Sequence, residues 1–124
     1  MREFCNEAYY LIFSTLANRT SLAIIDVLKG GSKTISEISK ALELEENAVA
    51  FSLRPLQKCA IVFFEGSENT KSYCLNREIV EPLSELLAFH VDKYCPGFKE
   101  CIPPEKLKEY MKAEAAKMTF IEHE

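Results

Sequence analysis

A mainly α-helical domain with one small β-hairpin is predicted from three observations. Apolar residues recur at the helical period through most of the chain. One β-branched and aromatic run, AIVFF at 60–64, interrupts that period, and the turn-forming EGSEN at 65–69 separates it from a second short run, SYCL at 72–75. With 124 residues, 48% of them hydrophobic, the chain can bury the core of one domain and is too short for two ordinary ones.

The elements follow in order. Phe4, Ala8, Leu11 and Ile12 are spaced as one face of a first helix over residues 4–15. Asn18 is a cap for a second helix in which Leu22, Ile25 and Leu28 share a face until Gly30-Gly31; Ala23, Ile24 and Val27 make it apolar on most sides, hence central. Thr34-Ile35-Ser36-Glu37 has the form of a capping box and opens a short third helix with Ile38, Ala41 and Leu42 on one face. After Glu43-Leu44, Val49, Leu53 and Leu56 mark an amphipathic fourth helix, with Pro55 inside it. The hairpin comes next, and from Asn76 a long fifth helix carries two adjacent stripes, Ile79, Leu83, Leu86, His90 and Val80, Leu87, Val91, Tyr94, ending at Cys95-Pro96-Gly97. Two stripes exceed what one small domain covers, which predicts a partner subunit. Pro103-Pro104 begins a last helix in which Leu107, Tyr110, Met111 and Met118 share a face. The predicted organisation is a domain over residues 1–95 and a C-terminal extension with one helix over residues 96–124.

The net charge of −4 is unevenly placed: residues 1–77 hold nine Lys/Arg and nine Asp/Glu, and residues 78–124 hold six and ten. The neutral part therefore leaves room for local basic patches. No apolar run approaches the roughly 18 to 20 residues that span a bilayer, and MREFCNEAYY is not a secretory signal, so a cytoplasmic protein without membrane association is expected. Five cysteines, an odd number, favour reduced thiols in that compartment. No Gly-rich phosphate loop, Gly-x-Ser-x-Gly turn or His-Glu-x-x-His helix is present, and two histidines leave few candidates for acid–base chemistry; an enzyme is not predicted.

Helix, helix, short helix, helix, hairpin, long helix is the order of a winged helix-turn-helix. Leu16-Ala17-Asn18-Arg19-Thr20, Ile35-Ser36-Glu37-Ile38 with Leu42-Glu43-Leu44, and Leu53-Arg54-Pro55-Leu56 leading into Ile61-Val62 resemble the ArsR/SmtB family of small dimeric repressors over residues 8–94. The resemblance implies a homodimer joined through the first and fifth helices, the fourth helix in the DNA major groove, the hairpin as a wing, and repression relieved by a small signal. The chain departs from the family where the fourth helix opens with Glu45, Glu46, Asn47 and Ala48 in place of Ser and further small polar residues, and where Ala60 replaces the usual Gly before the wing.

On the fourth helix, Asn47 suits adenine, Ala50 and Phe51 suit thymine methyls, Ser52 is a further contact, and Arg54 suits phosphate or guanine. Lys33, Lys40, Lys58 and Lys71, with Arg19 and Arg77, supply phosphate contacts, Lys71 from the wing. Glu45 and Glu46 favour the helix by meeting its positive dipole end, and oppose DNA unless one accepts from a cytosine amino group. The alternative is a winged helix turned to protein contact.

The Cys-x-Cys metal site that some family members place in the third helix is replaced by Thr34 and Ser36, and His90 with Asp92 lacks a second histidine. Cys95 and Cys101 around a Pro-Gly turn, with His90 or with Cys5, form a candidate sensor. Three readings stay open there: a thiol redox switch, a soft-metal site through Cys95 and Cys101, and buried filler.

Overall fold

The computed structural model describes residues 6–67, 70–94, 109 and 111–113. The chain runs α1 (Asn6–Leu16), α2 (Arg19–Leu28), α3 (Ile35–Leu42), α4 (Glu46–Lys58), β1 (Val62–Glu65), β2 (Ser72–Leu75) and α5 (Arg77–Tyr94). Helices α2, α3 and α4 pack on one another, and the antiparallel hairpin closes the end of that bundle.

Helices α2 and α3 start at side-chain caps. Asn18 Oδ1 accepts from the Ser21 N–H at 3.0 Å, satisfying one orphan donor at the start of α2. At α3 the capping box is complete: Thr34 Oγ1 accepts from the Glu37 N–H at 3.2 Å, and Glu37 Oε1 accepts from the Thr34 N–H at 3.0 Å. The Thr34 N–H first and the Thr34 hydroxyl second, with Lys33 and Lys40 nearby, hold the Glu37 carboxyl below its ordinary value. A depressed folded-state pKa means that its stabilisation is complete above the ordinary carboxylate value and is lost as pH falls through the depressed one. Glu37→Gln keeps an acceptor but removes the titration, so its urea midpoint should fall less steeply than the wild type's as pH is lowered from about 6 to about 3.

The exits from α3 and α4 share one design. Glu43 follows α3 at φ 56°, and the Leu44 N–H reaches back to Ser39 O at 3.1 Å. Ala60 follows α4 at φ 58°; its own N–H bonds Gln57 O at 3.0 Å and the Ile61 N–H bonds Leu56 O at 2.9 Å. These are left-handed helix stops with the next residue, Leu44 or Ile61, buried. Glycine normally occupies such a corner, and an L side chain there costs about 1 kcal/mol or more. Ala60→Gly should therefore raise unfolding stability by about 0.5–1 kcal/mol in thermal or urea melts; a decrease would show that the Ala60 methyl packs usefully.

One buried cluster unites the elements: Ile24, Ile25 and Leu28 of α2, Ile38 of α3, Val49, Leu53 and Leu56 of α4, Ile61, Val62, Tyr73 and Leu75 of the hairpin, and Val80 of α5. Met111, within the expected C-terminal extension, belongs to the same cluster. It and its described neighbours Glu109, Lys112 and Ala113 are helical, while the rest of the last helix expected after Pro103-Pro104 lies outside the described residues. The hairpin pairs Val62 with Leu75 and Phe64 with Tyr73, and Lys33 extends it by a two-bond bridge to Tyr73 (2.8 and 3.0 Å). The first strand thus starts at Val62, later than the apolar run AIVFF suggested, because Ala60 is consumed by the helix stop.

Helices α1 and α5 differ from the others. In α1 only Thr15 is buried, and Tyr9, Tyr10, Ile12 and Phe13 are exposed, Tyr10 by 72%. In α5 only Val80 is buried, and Ile79, Leu86, Leu87, Phe89 and Tyr94 are exposed. Of the stripe expected on α1, Ala8 and Ile12 are exposed, Leu11 is half-buried and Phe4 lies outside the described residues; of the stripes expected on α5, Val80 joins the core, Leu83 and Val91 are half-buried and Ile79, Leu86, Leu87, His90 and Tyr94 are exposed. Among the described residues no single helix is long and apolar enough to cross a membrane.

Candidate nucleic-acid interface

Helix α4 is held against α2 and α3 by Ala48, Val49, Ser52, Leu53 and Leu56. At 3.6 residues per turn the opposite side carries Asn47, Phe51, Arg54 and Lys58, spaced four, three and four apart and so aligned along the helix. Asn47, Arg54 and Lys58 are exposed; Ala50 and Phe51 are half-buried, and the Arg54 guanidinium carbon stands 6.0 Å from the Phe51 ring centroid. That places five of the six α4 residues expected to read DNA on the outward half of the helix.

The sixth is a correction. Ser52 is only 2% exposed. It lies about 140° around the helix from Asn47, inside the arc of Ala48, Val49 and Leu56, so it faces the core and not a groove. Its spacing from Ala48 and Leu56, four residues each way, was the signal that placed it inward.

The outward stripe is polar in charge as well as in chemistry. Glu45, at the N-cap with no side-chain capping bond, and Glu46 are exposed at its beginning, and Arg54 and Lys58 lie towards its end. The two carboxylates suit the helix dipole, and they leave the positive charge of the stripe in its C-terminal half.

The remaining basic residues are distributed around this helix. Lys40 is exposed in the last turn of α3, and Lys33, half-buried, sits beside β2 through its bridge to Tyr73. Lys71 is half-buried on the wing, its Nζ 4.1 Å from the centre of the Phe64 ring. The wing aromatics Phe63 and Phe64 are both 48% exposed, which their place in an apolar strand run does not signal. Asn76, where the sequence begins the long helix, does more than start it: its Nδ2 donates to Ala60 O at 2.8 Å and its N–H to Ile61 O at 2.9 Å, joining the end of α4 to the start of α5.

The sensor candidates are not brought together within the described residues. Cys5, Cys95 and Cys101 lie outside them. His90 is exposed on α5 with its ring 5.5 Å from that of Tyr94. Thr34, in the position of a family metal-ligating cysteine, has its hydroxyl committed to the α3 cap, so that family site does not fit this chain. Among the described residues no group of three His, Cys, Asp or Glu could hold a metal. Cys59 and Cys74 are free thiols, Cys59 Sγ being 3.8 Å from the Thr15 hydroxyl.

No protein-family model matches the sequence, and no curated protein matches it. Solved structures do match. The homodimeric winged helix-turn-helix DNA-binding domain of Mb0332 from Mycobacterium bovis, a possible ArsR-family transcriptional regulator, is similar at TM-score 0.63 and 20% identity over 76% of this chain and 93% of that one. HlyU from Vibrio cholerae is similar at TM-score 0.60 and 26% identity, over 76% and 99%. An ArsR-like transcriptional regulator from Rhodococcus is similar at TM-score 0.56 and 18% identity, over 76% and 89%. With its helix-turn-helix formed by α3 and α4 and its wing by β1 and β2, the chain has the winged helix-turn-helix fold of these solved structures.

Proposed function

We propose that the protein is a sequence-specific DNA-binding transcriptional regulator, a repressor acting as a homodimer in the cytoplasm. The observation that carries this reading is the single outward stripe of Asn47, Phe51, Arg54 and Lys58 on a helix whose other side is anchored in the core. Asn47 offers a bidentate contact to adenine, Phe51 and Ala50 an apolar contact to thymine methyls, and Arg54 a contact to guanine or phosphate. Lys58, Lys33, Lys40 and Lys71 position the backbone. Dimerisation through α1 and α5 would cover the exposed Tyr10, Phe13, Leu86, Leu87 and Phe89, and the similar Mb0332 domain is homodimeric. Relief of repression by thiol oxidation or a soft metal at Cys5, His90, Cys95 and Cys101 completes the proposal.

Fluorescence anisotropy of the reduced protein with duplexes from its own upstream region, at two salt concentrations, tests it. Binding should weaken steeply with salt. Asn47→Ala should lose about 1–3 kcal/mol on the preferred duplex and relax its sequence preference, whereas Arg54→Ala should weaken binding and, where it meets phosphate, reduce the salt slope by about 1. Absence of salt-sensitive binding to any duplex would overturn the reading and turn attention to a protein partner for the exposed Glu45-Glu46 end of α4.

A further inference from the structure

The two faces of the wing differ. Strand alternation and the pairs Val62–Leu75 and Phe64–Tyr73 put Phe64 and Tyr73 on the inner face, continuous with the core, and Phe63, Glu65, Ser72 and Cys74 on the outer face. Tyr73 is buried, but Phe64, its direct cross-strand partner, is 48% exposed: the core ends beneath it. Its ring is supported on one side by Tyr73, centroids 6.3 Å apart, and carries the Lys71 ammonium at 4.1 Å. Across β2, Lys33 is bridged to Tyr73, with Glu37 as its acidic neighbour on α3. The inner face is thus an exposed aromatic ring bordered by cations, and the carboxylate of the described wing strands, Glu65, leaves by the other face.

The geometry points to Phe64 as a wedge that enters the minor groove beside α4, partly unstacks one base step and bends the duplex. Apolar wedges of this kind favour easily deformed pyrimidine–purine steps, so the wing would add sequence preference without a hydrogen bond to any base edge. Lys71, the one cation of the hairpin, is placed to meet the flanking phosphate. The inference deepens the DNA-binding reading and rests on it. Phe63 supplies an internal control, since it has the same exposure on the same strand but sits on the face with Glu65.

The test uses the full chain and the tightest duplex recovered from a random-sequence pool, labelled at both ends, with anisotropy reporting affinity and energy transfer reporting the bend. The wild type should bend the duplex. Phe64→Ala should bind it about tenfold more weakly and leave it nearly straight, and Phe64→Leu, which keeps an apolar wedge, should restore most of the bend. Phe63→Ala should change neither readout. Circular dichroism melts of each variant separate a wing that fails to fold from one that folds without its wedge. If folded Phe64→Ala bends and binds as the wild type does, or if Phe63→Ala gives the loss instead, the wedge is overturned while DNA binding stands, and the Phe64 ring would be free for a protein partner. If the wild type recovers no duplex, the DNA-binding reading falls and takes the wedge with it.

Discussion

Leu86→Arg is expected to break the proposed dimer into monomers and to weaken its binding to a duplex with two half-sites by about a hundredfold or more. Leu86 is 63% exposed within its own subunit, so a charged replacement costs the folded subunit little, within about 0.5 kcal/mol for a surface position of this kind. In a dimer through α1 and α5 the same side chain would be enclosed with Leu87, Phe89 and the α1 aromatics, where burying an unpaired guanidinium is costly. The loss of DNA affinity then follows from losing the second reading head, with α4 itself unchanged. Light scattering coupled to size exclusion reports the mass, and anisotropy on one-site and two-site duplexes separates avidity from contact. A Leu86→Arg protein that remains dimeric would remove α5 from the interface.

Met111→Ala is expected to lower unfolding stability by about 2–5 kcal/mol, the usual cost of truncating a long buried side chain and leaving its cavity. Met111 is 4% exposed and shares the cluster of Ile24, Leu53 and Val80, although the sequence places it well beyond the long helix. Urea unfolding followed by circular dichroism measures the change. An effect below about 0.5 kcal/mol, the range of surface substitutions, would mean that the C-terminal segment is a passenger on the fold.

The parts legible in the sequence were those with strong local codes. The Asn18 cap, the Thr34–Glu37 box and the 49–53–56 stripe each act within a turn or two of helix, and the structure has all three. The hairpin was legible from its aromatic run and turn, but its inner and outer faces were not, because two adjacent phenylalanines fit either register until Tyr73 and Val62 fix which is inside. Periodicity also identified the apolar stripes of α5 without saying what covers them, since a stripe against a core and a stripe against a second subunit have the same spacing, and on α1 it marked Ile12 but not the exposed Tyr9, Tyr10 and Phe13. Ser52 shows the converse limit: small and polar, it reads as a groove contact by residue type, while its angular position puts it inside.

Asn76 makes the junction of α4, the wing and α5 a welded joint. One amide side chain fastens the Ala60 carbonyl where α4 stops, its N–H fastens Ile61 at the wing root, and its own carbonyl accepts the first N–H groups of α5, from Ile79 and Val80. There is no slack segment at that corner to absorb a change in the direction of α5. In the proposed dimer, any tilt of α5 against its partner would therefore be delivered, with the full length of an 18-residue helix as its arm, to the helix stop and wing proposed to meet the DNA.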